Sequence, residues 1–271
     1  VYKKIRDTGA IQNFAIAAGK TKGEHQGPFW ADSDVYKWLE GASYTLALTT
    51  DPALETRVDE IIGLIAAAQQ PDGYLDTYVQ LVDPKARWTN LAFFHEDFCA
   101  GHLFEAAIGH YESTGKRTLL DVAIKYANLW DSVFGPGKRE GIPGHEVIEL
   151  ALVKLYRVTG EKRYLQLSQF FIDGRGQKPS FFEREYQRLD PNKTANFLGQ
   201  VKTVRYWQDQ LFRKDPNRFD TSYSQDHLPV RQQSEVVGHA VRAMYLYSGM
   251  ADVAYETGGQ ALIDALNRLH H

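Results

Sequence analysis

Three histidines, His95, His145 and His239, stand beside acidic residues or glycines at points where polar sequence turns into helical sequence. A neutral imidazole donates from one nitrogen and accepts at the other, so such residues can read hydroxyl groups on a ligand. The bland alternative is that each histidine caps a helix or satisfies a buried backbone group. Around His145 runs Gly144-His145-Glu146-Val147-Ile148-Glu149-Leu150-Ala151-Leu152. Four-residue spacing predicts that His145 and Glu149 project from one side of a helix whose apolar face carries Ile148, Leu152, Leu155 and Tyr156. Paired carboxylates serve glycoside chemistry, which makes Glu96, Glu146 and Glu149 candidates. Helix starts also favour acidic side chains through the dipole, and positioning suits Glu149 better than catalysis. The helical zinc motif needs a second histidine where Glu149 stands, so no metal site is read from these residues. Asp34, Tyr74 and Trp88 are candidates for lining a ligand cleft, the aromatics by stacking on a flat ligand face, with core packing as the alternative.

The elements that would position these residues repeat. Gly101-His102, Gly144-His145 and Gly238-His239 each open a helical run that closes at Thr114-Gly115, Thr159-Gly160 or Thr257-Gly258. A second amphipathic run follows each Thr-Gly. A weaker copy starts at Ser33-Asp34, either of which suits an N-cap, and turns near Pro52. Repeated helix–turn–helix units predict an all-α fold of helical hairpins. The unequal spacing favours most of an (α/α)6 toroid over a regular solenoid, with inner helices starting at the Gly-His turns. One helical domain over 1–271 is expected, incomplete as a ring, with a long excursion at 174–228. Residues 1–19 read as one helix, 74–79 as extended, and Pro229 as the start of a helix carrying Glu235 and His239.

Composition narrows the function classes. The 271 residues carry a net charge of −3, which gives no support for nucleic-acid or anionic-membrane partners. Cys99 is the one cysteine, so neither an internal disulfide nor a multi-cysteine metal site is available; a buried, inert thiol is expected. With 15 Tyr, 14 Phe and 5 Trp, the chain has ample aromatic surface for a core or for ligand stacking. No apolar run is long enough to span a bilayer, which favours a cytoplasmic location, although a targeting segment upstream of Val1 is compatible with the sequence. His270-His271 reads as a tag remnant.

Five motifs, in order, are similar to those of glycoside hydrolase family 127, the bacterial β-L-arabinofuranosidases. They are Asp32-Ser33-Asp34-Val35-Tyr36-Lys37-Trp38, Gln70-Pro71-Asp72-Gly73-Tyr74-Leu75, His95-Glu96-Asp97-Phe98-Cys99-Ala100-Gly101-His102-Leu103, Gly144-His145-Glu146 with Ile148-Glu149-Leu150-Ala151-Leu152, and Pro229-Val230-Arg231-Gln232-Gln233 through Gly238-His239-Ala240-Val241-Arg242-Ala243-Met244-Tyr245. The resemblance implies an (α/α)6 barrel and a retaining glycosidase with a zinc-bound cysteine nucleophile and a glutamate acid/base. It places those residues downstream of the last motif, so neither they nor the zinc ligands are assigned to any residue here. What it carries over is a sugar-contacting set, best matched by His95, His145 and His239, with His102 less closely matched. The expected partner is a small sugar or arabinose-containing glycan. The expected role is that of the front part of such a glycosidase, inactive alone, with a non-catalytic carbohydrate-binding or scaffold domain as the rival. Another (α/α)6 enzyme, such as a lyase or isomerase, is a third reading. An open ring would also favour self-association through its edges.

Overall fold

The computed structural model describes every residue except Leu198, Pro216 and His271, so half of the His270-His271 pair lies outside the described residues. Helices dominate, and the one sheet among the described residues is a two-stranded hairpin. The three Thr-Gly stops behave as expected: Gly115, Gly160 and Gly258 take φ of 72°, 76° and 68°. The chain divides into two compact units, residues 1–89 with 99–133, and residues 90–98 with 134–271.

In the first unit the helices Ala31–Leu48, Pro52–Ala68 and Thr118–Val133 surround a core that includes Tyr36, Leu39, Val58, Ile65, Leu119 and Trp130. Trp30, not Ser33 or Asp34, holds the N-cap position of the first of these helices. Its early residue Asp32 is buried, and its carboxylate accepts from the Thr77 amide at 2.8 Å and the Thr77 hydroxyl at 2.5 Å. That contact helps to explain why residues expected to be extended form the short helix Thr77–Val82, which Asp76 caps by accepting from Val79 N. The expected helix over 1–19 is two, Tyr2–Asp7 and Ala10–Ala17, because Gly9 turns the chain at φ 80°.

Burial raises the Asp32 pKa to about 6, against the lowering effect of its Thr77 hydrogen bonds. A raised carboxyl pKa contributes stability below the unfolded-state value and loses it as pH rises through about 6. Asp32→Asn lacks this dependence. The melting-temperature gap between wild type and the variant should therefore narrow between about pH 5 and about pH 8; a constant gap would contradict the assignment.

The second unit pairs Ile148–Thr159 with Lys162–Gly174, and Ala240–Thr257 with Gln260–His270. Their shared core includes Val153, Ile172, Val230, Leu246, Met250 and Leu262. The excursion is structured. It contains the helix Phe181–Gln187, an antiparallel hairpin pairing Thr194 with Thr203 and Phe197 with Gln200, and the helix Val204–Phe212. From it, the Glu185 carboxylate accepts from Leu91 N at 2.7 Å and Ala92 N at 2.9 Å, and Gln208 donates to Asn90 at 3.1 Å. These bonds fix the approach to His95.

Two expected helix starts are displaced. The run through Gly101-His102 begins earlier, at Glu96, so His102 is inside a helix. After Pro229 there is only a single 3-10 turn, Val230–Gln232, and the next α-helix starts at Ala240. The Gln233 side chain donates to Gln225 O and Leu228 O, holding a turn where a helix was expected.

Candidate functional site

Within the second unit His95, His145 and His239 converge, each within three residues of a helix start. The His145 ring centroid is 5.5 Å from that of His95 and 6.0 Å from that of His239. Phe98 packs 4.4 Å from His145, and Tyr245 lies 6.1 Å from it. His145 is buried, while His95 and His239 are half-buried on either side. Expected helix geometry fails at one point: the helix begins at Ile148, so His145 and Glu146 occupy the preceding loop and Glu149 the first turn.

Backbone contacts set the tautomers. A carbonyl only accepts, so Nδ1 of His95 donates to Phe93 O at 2.6 Å and Nδ1 of His145 donates to Glu146 O at 3.0 Å. In their neutral forms both rings then carry an acceptor at Nε2. His239 is the reverse: Nδ1 accepts from Arg242 N at 3.4 Å as the N-cap, which leaves its proton on Nε2. The functional and capping readings of His239 therefore coexist.

Buried charges hold the 143–147 loop through its backbone. Asp97 accepts from His145 N at 2.9 Å, and Glu149 accepts from Val147 N at 3.2 Å. Arg175 donates to Pro143 O at 2.7 Å, to Ser224 O at 2.6 Å and to Glu149 at 3.3 Å. Arg242 donates to Gly144 O and, at 3.0 Å, to the Ser224 hydroxyl. Arg175 Nη1 also sits 2.8 Å from Glu146 Oε1, an ion pair off the hydrogen-bond direction, with both side chains at 0% exposure. Gly144 is required by close approach: a Cβ there would lie 2.0 Å from Leu91 O.

Among Asp97, Glu146 and Glu149 there are three carboxyl groups for the two guanidiniums of Arg175 and Arg242. Desolvation pushes Asp97 and Glu146 up to about 7 and raises Glu149, against the lowering pull of the arginines. Desolvation lowers His145 well below the ordinary histidine value, assisted by Arg242, His95 and His239. His239 is lowered by desolvation and by Arg242. The unit thus presents His145 and His239 as neutral imidazoles in front of a buried, charge-dense support.

The remaining candidates have other surroundings. Glu149 is buried behind His145, where it holds backbone and Arg175. Tyr74 and Trp88 belong to the first unit's aromatic core: their rings meet at 5.7 Å, Tyr74 reaches Tyr126 at 5.6 Å, and Trp88 reaches Trp130 at 5.4 Å. The Arg87 guanidinium covers both, 4.1 and 4.3 Å from their centroids. These two residues have the packing environment that was the alternative for them. Asp34 is exposed on the helix Ala31–Leu48 of the first unit. His102, buried inside a helix, is lowered to about 3 by desolvation, with Lys37 contributing. Asp97, Arg242 and Tyr245 lie inside the quoted motifs without having been singled out; Arg175 carries no local signal at all.

The resemblance assigns its zinc ligands to none of the residues described. No group of three or more His, Cys, Asp and Glu side chains among them is disposed to hold a metal. The Cys99 thiol is buried and raised well above its usual pKa by desolvation, the opposite of an activated thiolate. No step is routed through a metal.

Comparison with known proteins agrees with the family resemblance. A curated non-reducing-end β-L-arabinofuranosidase of Bifidobacterium longum subsp. longum is 42% identical over 265 residues, covering 96% of this chain and 38% of that protein. The crystal structure of a GH127 β-L-arabinofuranosidase from Geobacillus stearothermophilus T6 superposes with a TM-score of 0.85 at 45% identity, covering 97% of this chain and 38% of that one. A second solved GH127 β-arabinofuranosidase gives a TM-score of 0.79 at 37% identity, covering 99% of this chain and 38% of its own. The chain therefore spans 38% of the length of each relative, and the expected all-α class is the class of these α/α-barrel proteins. The profile of the β-L-arabinofuranosidase GH127 catalytic domain matches residues 2–271, through both units and all five motifs, and to that family the chain belongs.

Proposed function

We propose that this chain binds and orients the terminal L-arabinofuranosyl residue of a glycan, as the part of a glycoside hydrolase that grips the sugar. The observation that carries the proposal is the convergence of three imidazoles with complementary hydrogen-bond character. His95 and His145 accept at Nε2 from sugar hydroxyls, and His239 donates from Nε2 to a sugar oxygen. Phe98 supplies an apolar wall beside His145. The relatives named above are β-L-arabinofuranosidases, which supports the choice of sugar.

Bond cleavage is assigned to none of these residues. Asp97, Glu146 and Glu149, three of the carboxyl groups near the histidines, are buried and engaged with backbone or arginine. That engagement favours a second reading, in which the chain alone is a carbohydrate-binding domain without turnover. Both readings share the binding step, and an aryl β-L-arabinofuranoside separates them by its hydrolysis.

Each imidazole hydrogen bond contributes about 0.5–1.5 kcal/mol net, so L-arabinose should bind at roughly millimolar Kd, about −4 kcal/mol. An ordinary imidazole set would lose affinity below about pH 6, when protonation removes the acceptors. The structure shifts that expectation: burial lowers His145 and His239, so their neutral forms persist to more acid pH. NMR titration with L-arabinose at about pH 7 and about pH 6 should show binding, with the His145 and His239 rings unprotonated, at both values. Absence of binding at both values would refute the proposal, and imidazolium signals from His145 or His239 at the lower one would refute the protonation assignment.

A further inference from the structure

We infer that the depression beside His239 is a second sugar subsite, holding the residue to which the terminal arabinofuranosyl unit is linked. This rests on the sugar-binding role proposed above. The cavity measures about 410 Å³ and is lined by Leu211, Lys214, Asp220, Ser222, Tyr223 and His239, within the range of small-ligand sites. His239 belongs both to this lining and to the imidazole cluster. A group seated here is therefore next to whatever the three histidines hold.

Three segments build the walls, and backbone hydrogen bonds tie them together. Asp220 N donates to Phe212 O at 2.6 Å, joining the turn to the end of the helix Val204–Phe212. His239 N donates to Tyr223 O at 3.2 Å. Gly238, at φ 75°, lets those strands of chain approach, since a Cβ there would lie 2.0 Å from Ser222 O. The pocket is thus preformed and keyed to the position of His239.

Its chemistry selects a neutral, hydroxyl-rich ring. Lys214 and Asp220 bring opposite charges, so the lining has no net preference for an ionic ligand. Asp220 accepts from Ser222 N at 2.9 Å, and its hydrogen bonds to Ser222 hold its pKa below the usual carboxylate range, leaving an ionised acceptor for hydroxyl groups. Lys214 supplies donors, and the Ser222 hydroxyl, whose proton is directed to Asp220, can accept. Tyr223 and Leu211 add carbon surface for the C–H face of a ring. An anionic residue would meet Asp220, and an apolar group would leave Lys214 and Asp220 without hydrogen-bond gain.

The test compares methyl β-L-arabinofuranoside with an arabinofuranosyl disaccharide by calorimetric titration of the whole chain. Wild type should bind the disaccharide about ten-fold more tightly, the equivalent of one or two added hydrogen bonds. Asp220→Asn and, independently, Lys214→Met on the exposed rim should each remove most of that gain and leave the methyl glycoside affinity unchanged. Equal affinity for the two ligands overturns the subsite and leaves the histidine site standing. A gain that survives both substitutions also overturns it. Failure of both ligands to bind removes the histidine reading and the subsite together.

Discussion

Arg175→Met is expected to destabilise the protein by about 3–5 kcal/mol, the cost of breaking a buried ion pair from one side. The guanidinium is fully buried and holds Pro143 O, Ser224 O and Glu149, with Glu146 at ion-pair distance. Methionine fills some of the volume but leaves two carbonyls without their donor and two carboxyl groups without their main counter-charge. The deficit should also depend on pH. Glu146 and Glu149 have raised folded-state values, so their ionisation opposes folding as pH rises through those values. Arg175 lowers both, and without it that opposition grows. Urea unfolding should therefore show a larger deficit at about pH 8 than at about pH 5. Arg175→Lys, which keeps charge but not the planar fork, should fall between. A loss below about 1 kcal/mol at both pH values would show that the network does not bear on stability.

Gly144→Ala should cost about 3 kcal/mol or more and abolish sugar binding. The added Cβ meets backbone, Leu91 O at 2.0 Å and the Ala92 Cα at 2.7 Å, so no side-chain rotation relieves it. The 90–98 segment is itself held by Glu185 and Gln208, leaving the 143–147 loop to move. Movement there breaks the Arg242 bond to Gly144 O and the Asp97 bond to His145 N. Thermal melts and L-arabinose titration check this. A melting temperature within about 2 °C of wild type, with unchanged affinity, would contradict the close-approach argument.

Much of this organisation is legible in the sequence because its signals are local. Thr-Gly stops mark helix ends through a backbone conformation that glycine adopts readily, and Gly115, Gly160 and Gly258 bear them out. Helix starts were harder to place. Gly101 lies inside a helix that already begins at Glu96, directly after His95, and the stretch after Pro229 is captured by Gln233 side-chain bonds. The support beneath the histidines is the least visible part. Arg175 is 32 residues from Pro143 and 49 from Ser224, the backbone groups to which it donates. Glu149 was legible as a neighbour of His145, yet its role of holding the loop depends on those distant partners. Tyr74 and Trp88 follow the same logic in reverse: aromatic residues beside turns suit a cleft wall or a core, and only their contacts with Tyr126, Trp130 and Arg87 decide.

The central claim is that His95, His145 and His239 grip one monosaccharide together. Titration of L-arabinose into wild type, the three single His→Ala variants and the His145→Ala/His239→Ala pair tests it most directly. Each single change should weaken binding by about three- to ten-fold, with melting showing that the fold persists. The double variant should lose less than the sum of its parts, because both rings contact the same small ligand. Wild-type affinity in all three single variants, or chemical-shift changes on sugar addition confined to residues away from this cluster, would contradict the account.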